Sequence, residues 1–138
     1  MCISAEASFA VGVGVGLIGV ATLQCPGAKT LPWLAAVPAL FAVQQVAEGV
    51  VWLYLNGVFR QTPVSLLAQY VYLTFALIWW PVYMPLAVAL TEPVPWRRRW
   101  SFAAVVGGFY VSAFDTYYLL TTDLSPTVIG HSIQYGHG

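Results

Sequence analysis

The sequence predicts an all-α integral membrane protein, a single domain built as a bundle of four transmembrane helices. Of its 138 residues 59% are hydrophobic and only 7% are charged, whereas soluble domains carry about 25% charged residues. Apolar segments at about 4–24, 32–55, 63–90 and 100–121 are each long enough to cross a hydrocarbon layer of about 30 Å. Residues 122–138 follow as a tail that is richer in polar residues and glycine.

The charge balance and the N-terminus narrow the class of protein further. Five basic residues offset five acidic residues, so no basic field is available for a nucleic-acid backbone and the lipid bilayer is the expected partner. The N-terminus lacks the basic region and the small-residue cleavage site of a secretory signal, which predicts that the first apolar segment stays in the mature protein.

The first segment has a clear start and a ridge of small residues. Ser4 and Glu6 suit the exposed amides and the positive dipole end of a helix N-terminus. Gly12, Gly16 and Gly19 recur at spacings of four and three residues, which is typical of helices that pack closely in lipid. A phosphate-binding loop is not supported, because the glycines lie inside an apolar span and no Lys-Ser or Lys-Thr follows them.

The second segment carries an unusual polar face. Gln44 and Gln45 lie four and three residues before Glu48, with Trp52 one turn further along, so all four side chains share one side of a helix. A carboxylate is costly in hydrocarbon, and this face is therefore expected to point into protein.

The third and fourth segments each contain residues that are unusual in a membrane-spanning helix. The third segment is long for a bilayer and is expected to tilt or to kink at Pro81 and Pro85. The fourth segment, expected to begin at about Trp100, places Asp115 at membrane depth, where an ionisable group is again expensive.

Loop charges predict the orientation in a bacterial-type inner membrane. Lys29 and Arg97–Arg99 fall in the two loops on one side of a four-helix bundle, and Arg60 falls alone on the other. Basic loops favour the cytoplasm, so both termini are expected on the outer side. Arg97–Arg99, flanked by Trp96 and Trp100, also fit a site for anionic lipid or a partner.

The polar residues converge on the outer end of this bundle. Glu48 and Asp115 each lie about 20 Å along their helices from the cytoplasmic side, so they can share a level. The other members expected in the same outer polar cluster are Gln44, Gln45, Glu6, Gln69, Tyr70 and Cys2. The cluster is interpreted in two ways: as a binding or proton-relay site, or as hydrogen bonds that set the packing register of the helices.

Metal binding and covalent catalysis have weaker support. His131 and His137 could join the carboxylates as metal ligands, but their spacing of six residues matches no established zinc geometry. Cys2 and Cys25 flank a spanning segment, which places them too far apart for a disulfide within one chain. No catalytic motif is found, and the sequence indicates no particular cofactor.

Three stretches resemble a bacterial family of uncharacterised multi-pass membrane proteins. They are Met1-Cys2-Ile3-Ser4-Ala5, the region from Gln44 to Trp52, and Trp79-Trp80-Pro81-Val82-Tyr83. Members of that family begin Met-Cys-Phe-Ser-Ala, and the resemblance covers about the first ninety residues. It implies the fold and the membrane location but no activity. Family members continue with further apolar segments, so a further helix entered near His131 remains an alternative to a free tail.

Two functions are consistent with these features. The first is an accessory or scaffold subunit that docks through its glycine ridges and aromatic faces onto other membrane protein subunits, or onto copies of itself. The second is a membrane-embedded site that binds or modifies a lipophilic small molecule or a metal ion through Glu48, Asp115, Gln44 and His131.

Overall fold

A computed structural model describes residues 4–121, 126–129 and 132–135, and it is mainly helical. Cys2, His131 and His137 lie outside the described residues. The helices are α1 (Ala5–Gln24), α2 (Pro32–Ala35), α3 (Val37–Leu55), α4 (Pro63–Leu73), α5 (Trp80–Thr91) and α6 (Pro95–Thr121). A 3₁₀ turn, Pro26–Lys29, precedes α2, and a π-helical turn, Thr74–Trp79, joins α4 to α5.

The helices form four long rods. Three of them, Ala5–Gln24, Pro32–Leu55 and Pro63–Thr91, are long and apolar enough to cross a membrane. The fourth, α6, has 27 residues and is therefore about 40 Å long, but it is less apolar than the other three. The expected four helices are thus present, and three of them meet both conditions for a span.

α1 packs against α3 through its glycines. Gly12, Gly16 and Gly19 all face α3, and a Cβ atom on Gly19 would lie 2.7 Å from the backbone nitrogen of Ala39. A Cβ atom on Gly12 would meet Val46 at 3.3 Å, so the two helices run antiparallel. The absence of side chains lets the two backbones approach closely, which is the main source of helix association when lipid replaces water.

The third rod departs from regular α-helix just before Pro81, where the sequence predicts a kink. The π-helical turn ends two residues before Pro81, and Pro85 lies inside α5. Proline has no N–H, and its ring presses on the carbonyl of the preceding turn. The wider π turn is the form that this local disruption takes, and such turns often occur at functional sites.

α6 leans on this irregular region along a narrow contact. Gly108 abuts the backbone of Pro81, where a Cβ atom would lie 2.7 Å from the carbonyl carbon. The hydroxyl of Ser112 donates a hydrogen bond to the carbonyl oxygen of Ile78, at 2.8 Å. A backbone oxygen in the π turn thereby accepts a hydrogen bond from a neighbouring helix.

The start of α6 differs from the expectation. The helix begins at Pro95 rather than near Trp100, so Arg97–Arg99 lie on its first turns and not in a loop. Proline suits the first position of a helix, and the Glu92 carboxylate accepts a hydrogen bond from the amide of Val94 at 3.0 Å. These two features start the helix earlier than its hydropathy alone indicates.

The tail makes the all-α expectation incomplete. β1 (Pro126–Ile129) and β2 (Ser132–Tyr135) pair as an antiparallel hairpin. The ring of Tyr135 stacks on Tyr72 of α4, with ring centroids 6.4 Å apart, and β1 contacts α3. The hairpin therefore packs on the helical bundle instead of forming a free tail.

Adjacent glycines on α6 provide a matched test of this packing. Gly108→Ala is expected to destabilise the protein by about 1–3 kcal/mol, because the new methyl group has no room against Pro81. Gly107→Ala should be neutral or stabilising by up to about 1 kcal/mol, because nothing lies within 4 Å of its Cβ position and alanine favours helix. The measurement is the unfolding free energy in detergent micelles. Equal effects of the two substitutions would contradict the proposed contact.

Candidate functional site

The polar face of α3 is enclosed within the bundle. Gln44, Gln45 and Glu48 are all buried, and Glu48 is only 2% exposed. The amide nitrogen Nε2 of Gln45 donates a hydrogen bond to Glu48 Oε2 at 3.1 Å. The indole N–H of Trp80, from α5, donates to Gln44 Oε1. The periodicity of these residues places them on the part of α3 that contacts α1, α4 and Trp80 of α5.

The α4 contribution to this region comes from Gln69 and not from Tyr70. Gln69 is 3% exposed and Tyr70 is 56% exposed. Neighbouring residues on a helix point about 100° apart, so burying Gln69 against α3 turns Tyr70 outward. The expectation that Tyr70 joins the polar cluster is therefore wrong.

Glu6 also lies outside the buried region. It is exposed in the first turn of α1, where a negative charge suits the helix dipole. α1 buries Ala5, Ser8, Gly12 and Gly19 instead, because those residues share the face that meets α3. Cys2, the remaining expected member, is outside the described residues.

Asp115 lines a partly open cleft beside the buried polar face. The cleft has a volume of about 360 Å³ and lies between the rod Pro63–Thr91, α6 and β2. Three tyrosines, Tyr72, Tyr118 and Tyr135, line the same cleft. The rest of the wall is apolar: Leu73, Ala76, Leu77, Leu119 and Ile133.

The Asp115 side chain is half-buried and has no compensating charge from the described part of the chain. Among residues 4–121, 126–129 and 132–135, no hydrogen bond or ion pair engages it. The neighbouring Thr116 hydroxyl is turned to the carbonyl of Ser112 at 2.6 Å. A carboxylate without a partner in apolar surroundings is unfavourable, and the cleft leaves room for a group that would compensate it.

Tyr135 connects the cleft to the interior of the bundle. Its hydroxyl is buried and has no hydrogen-bond partner among the residues that the structure describes. Burial raises the pKa of the Tyr135 phenol, and the Tyr72 phenol and the Glu48 carboxylate raise this pKa further. Glu48 lies inside the bundle, whereas Asp115 lies in the open cleft.

The sequence alone did not indicate Tyr72, Tyr118 or Tyr135 as site residues. Tyr72 lies three residues after Gln69, on the same helical face, and that spacing is the one signal that could have identified it. Tyr135 joins the site only because the hairpin folds back onto α4.

A metal centre is not built by the described part of the chain. No group of three or more His, Cys, Asp or Glu side chains there is arranged to hold a metal ion. The metal prediction for His131 and His137 falls on residues outside those described.

The comparisons with known proteins identify a family but no activity. The model of a family of unknown function, DUF6629, matches residues 1–138. No curated protein and no solved structure matches the chain.

Replacing the donor to Glu48 tests the enclosure of the polar face. Gln45→Leu is expected to destabilise the protein by about 1.5–3 kcal/mol, because a buried carboxylate loses a hydrogen bond from a residue of similar size. Gln61→Leu, at an exposed position before α4, serves as the control and should have little effect. The measurement is the midpoint of unfolding in mixed micelles. A Gln45→Leu protein as stable as the control would exclude a structural role for this hydrogen bond.

Proposed function

We propose that this chain, which belongs to the family of unknown function DUF6629, is a multi-pass protein of a bacterial inner membrane that binds a lipophilic organic cation. The binding site is the cleft at Asp115. The proposal rests on one observation: a half-buried carboxylate without a partner among the described residues stands in an apolar cleft beside three tyrosine rings.

Each feature of the cleft favours a cation with an apolar body. The carboxylate attracts positive charge strongly where the surroundings are poorly polarisable. Tyrosine faces bind ammonium groups, and quaternary ammonium ligands in particular, through their ring quadrupoles. The apolar walls accept the hydrocarbon part of such a ligand, and a volume of about 360 Å³ lies at the lower end of the range for small-molecule sites.

The proposed orientation places the cleft toward the outer leaflet. Lys29 and Arg97–Arg99 lie at one end of the rods, and Arg60 lies at the other. The positive-inside rule then puts the arginine end in the cytoplasm and both termini outside. Asp115 is about 24 Å along α6 from Arg99, so a ligand would enter from the outer half of the bilayer.

Binding of a radiolabelled probe to the full chain in lipid nanodiscs tests the proposal. Decyltrimethylammonium is expected to bind the wild-type protein, and Asp115→Asn should weaken binding about tenfold or more, because the Coulombic attraction between the carboxylate and the ammonium charge is lost. Glu6→Gln removes the same charge at an exposed position and should leave binding unchanged.

A neutral ligand provides the second control for that experiment. The carbon isostere, in which a tert-butyl group replaces the trimethylammonium head, should bind wild type and Asp115→Asn equally. Equal affinity of decyltrimethylammonium for Asp115→Asn and Glu6→Gln would reject the cation site.

The accessory or scaffold role is retained as a second candidate because of one surface on α6. The α6 seam comprises Trp96, Trp100, Ala103, Gly107, Tyr110, Phe114 and Tyr117, which alternate at spacings of four and three residues and are all exposed. That period is typical of two helices packing side by side. If lipid covered the seam, the phenol groups of Tyr110 and Tyr117 would face acyl chains without hydrogen-bond partners. A helix of another membrane subunit, or of a second copy, is the proposed cover.

Blocking the seam tests this second candidate. Gly107→Leu adds bulk to the seam and is expected to reduce the apparent mass of the protein extracted from its own membrane, as measured by native gel electrophoresis. Gly14→Leu is the matched control, because Gly14 on α1 also has nothing within 4 Å of its Cβ position. If both variants migrate with the wild type, the seam is not a docking surface.

A further inference from the structure

The first turns of α6 carry three arginines whose charges are not compensated by neighbouring carboxylates. Arg97, Arg98 and Arg99 are exposed, and none of them forms an ion pair within the described part of the chain. The nearest acidic residue along the chain, Glu92, accepts a hydrogen bond from the amide of Val94. Three of the five basic residues of the protein are therefore concentrated at one end of the rods.

The helical structure of this segment places one arginine between two tryptophans. Trp96, Arg99, Trp100 and Ala103 share one face of α6, and together they line an open groove of about 390 Å³. The two indole rings are 61% and 72% exposed. The guanidinium group of Arg97 lies over the Trp96 ring, 5.4 Å from its centroid. The groove therefore combines cationic groups with apolar walls.

Arg98 lies on the other side of the helix. Successive residues of an α-helix are turned by about 100°, so Arg98 is about 150° from the middle of the groove. Val105 and Ser112 share the direction of Arg98 and are buried. The preference of basic segments for the cytoplasm depends on the number of charges, and it does not account for the position of Arg99 between two indole rings.

An anionic phospholipid suits both parts of this groove. The N–H groups of a guanidinium donate to phosphate oxygens in a matched planar geometry. Indole rings favour the level of the lipid headgroups, and Ala103 lies about 6 Å further along α6 than Arg99, towards the apolar part of the helix. A soluble anion would leave the apolar walls uncovered, and a zwitterionic lipid would bring a second positive charge to the arginine.

We propose that this groove binds the headgroup and the upper acyl carbons of one anionic phospholipid. Arg99 binds the phosphate, and Arg97 adds positive charge beside it. The indole rings of Trp96 and Trp100 cover the glycerol and the first acyl carbons. In the proposed orientation this end of the rods lies in the cytoplasmic leaflet, whose anionic lipids attract basic residues.

The lipid site is compatible with the other proposed sites. It covers only the cytoplasmic end of the α6 seam and leaves the part from Gly107 to Tyr117 for the proposed partner helix. Arg99 is about 24 Å from Asp115 along α6, so the lipid site is separate from the cation cleft and does not depend on it.

Lipid titration of the full chain in detergent micelles, followed by native mass spectrometry, tests the site. The probe is palmitoyl-oleoyl-phosphatidylglycerol, and phosphatidylcholine with the same acyl chains is the zwitterionic reference. Wild type is expected to bind one phosphatidylglycerol about fivefold more tightly than phosphatidylcholine. Arg99→Gln should weaken phosphatidylglycerol binding about fivefold, whereas Arg98→Gln removes the same charge from the other side of the helix and should weaken it by less than about twofold.

A pair of alanine variants tests the apolar part of the groove. Ala103→Leu fills the groove and should weaken phosphatidylglycerol binding about fivefold, because the displaced acyl carbons lose their contact with the protein. Ala104→Leu, at an exposed position that does not line the groove, should leave binding unchanged. Glycerol phosphate, the headgroup without acyl chains, should not displace the lipid at equal concentration.

Three results would overturn the proposed lipid site. They are equal affinities of wild type for the two lipids, equal effects of Arg98→Gln and Arg99→Gln, and displacement of the lipid by glycerol phosphate. The second result would indicate a diffuse attraction by the charged end of α6, and the third would indicate a site for soluble anions.

Discussion

The enclosure of the Glu48 carboxylate is the constraint on which the rest of the structure depends. In a chain whose outer surface is largely apolar, an ionisable group at this depth must be surrounded by other helices. α3 provides the group, and Gln45 donates to it directly. α1 covers one side of α3 through Gly19 and its neighbours, and α4 covers another with Gln69. The close packing of the three helices is thus a consequence of the need to enclose Glu48 as much as of apolar contact.

The same constraint separates the bundle into a packed part and an open part. α3 and α4 bury Gln44, Gln45, Glu48 and Gln69, whereas α6 buries Val105, Gly108 and Ser112. The π turn before Pro81 widens the rod at this contact, and the cleft lies beside it. The proposed ligand site is therefore open, whereas the polar interior around Glu48 is closed.

The sequence predicted the features that depend on local spacing. Four long helices follow from the apolar segments, and the burial of Gln44, Gln45 and Glu48 follows from their periodicity. The rotation of α4 about its own axis could not be predicted from the sequence. Apolar residues lie on several of its faces and do not show whether Gln69 or Tyr70 turns inward. Membrane segments without a polar face carry little information on rotation, since lipid and protein interior are both apolar.

The cleft could not be predicted from the spacing of residues within single helices. Tyr72, Asp115 and Tyr135 come from three distant parts of the chain, and β2 reaches α4 only through a hairpin that hydropathy does not indicate. The start of α6 at Pro95 was also missed. Pro95 and the hydrogen bond from the Val94 amide to Glu92 start the helix in a stretch whose charges had indicated a loop. Such features depend on tertiary contacts and capping groups rather than on the period of the pattern.

The most direct test is an experimental structure of the full chain in lipid nanodiscs with a bromine-labelled alkyltrimethylammonium. Bound ligand is expected as density in the cleft, with its ammonium head within about 5 Å of the Asp115 carboxylate and against the rings of Tyr72, Tyr118 and Tyr135. A saturated complex in which the ligand lies elsewhere, or in which Asp115 forms an ion pair with a protein side chain, would contradict the cation site.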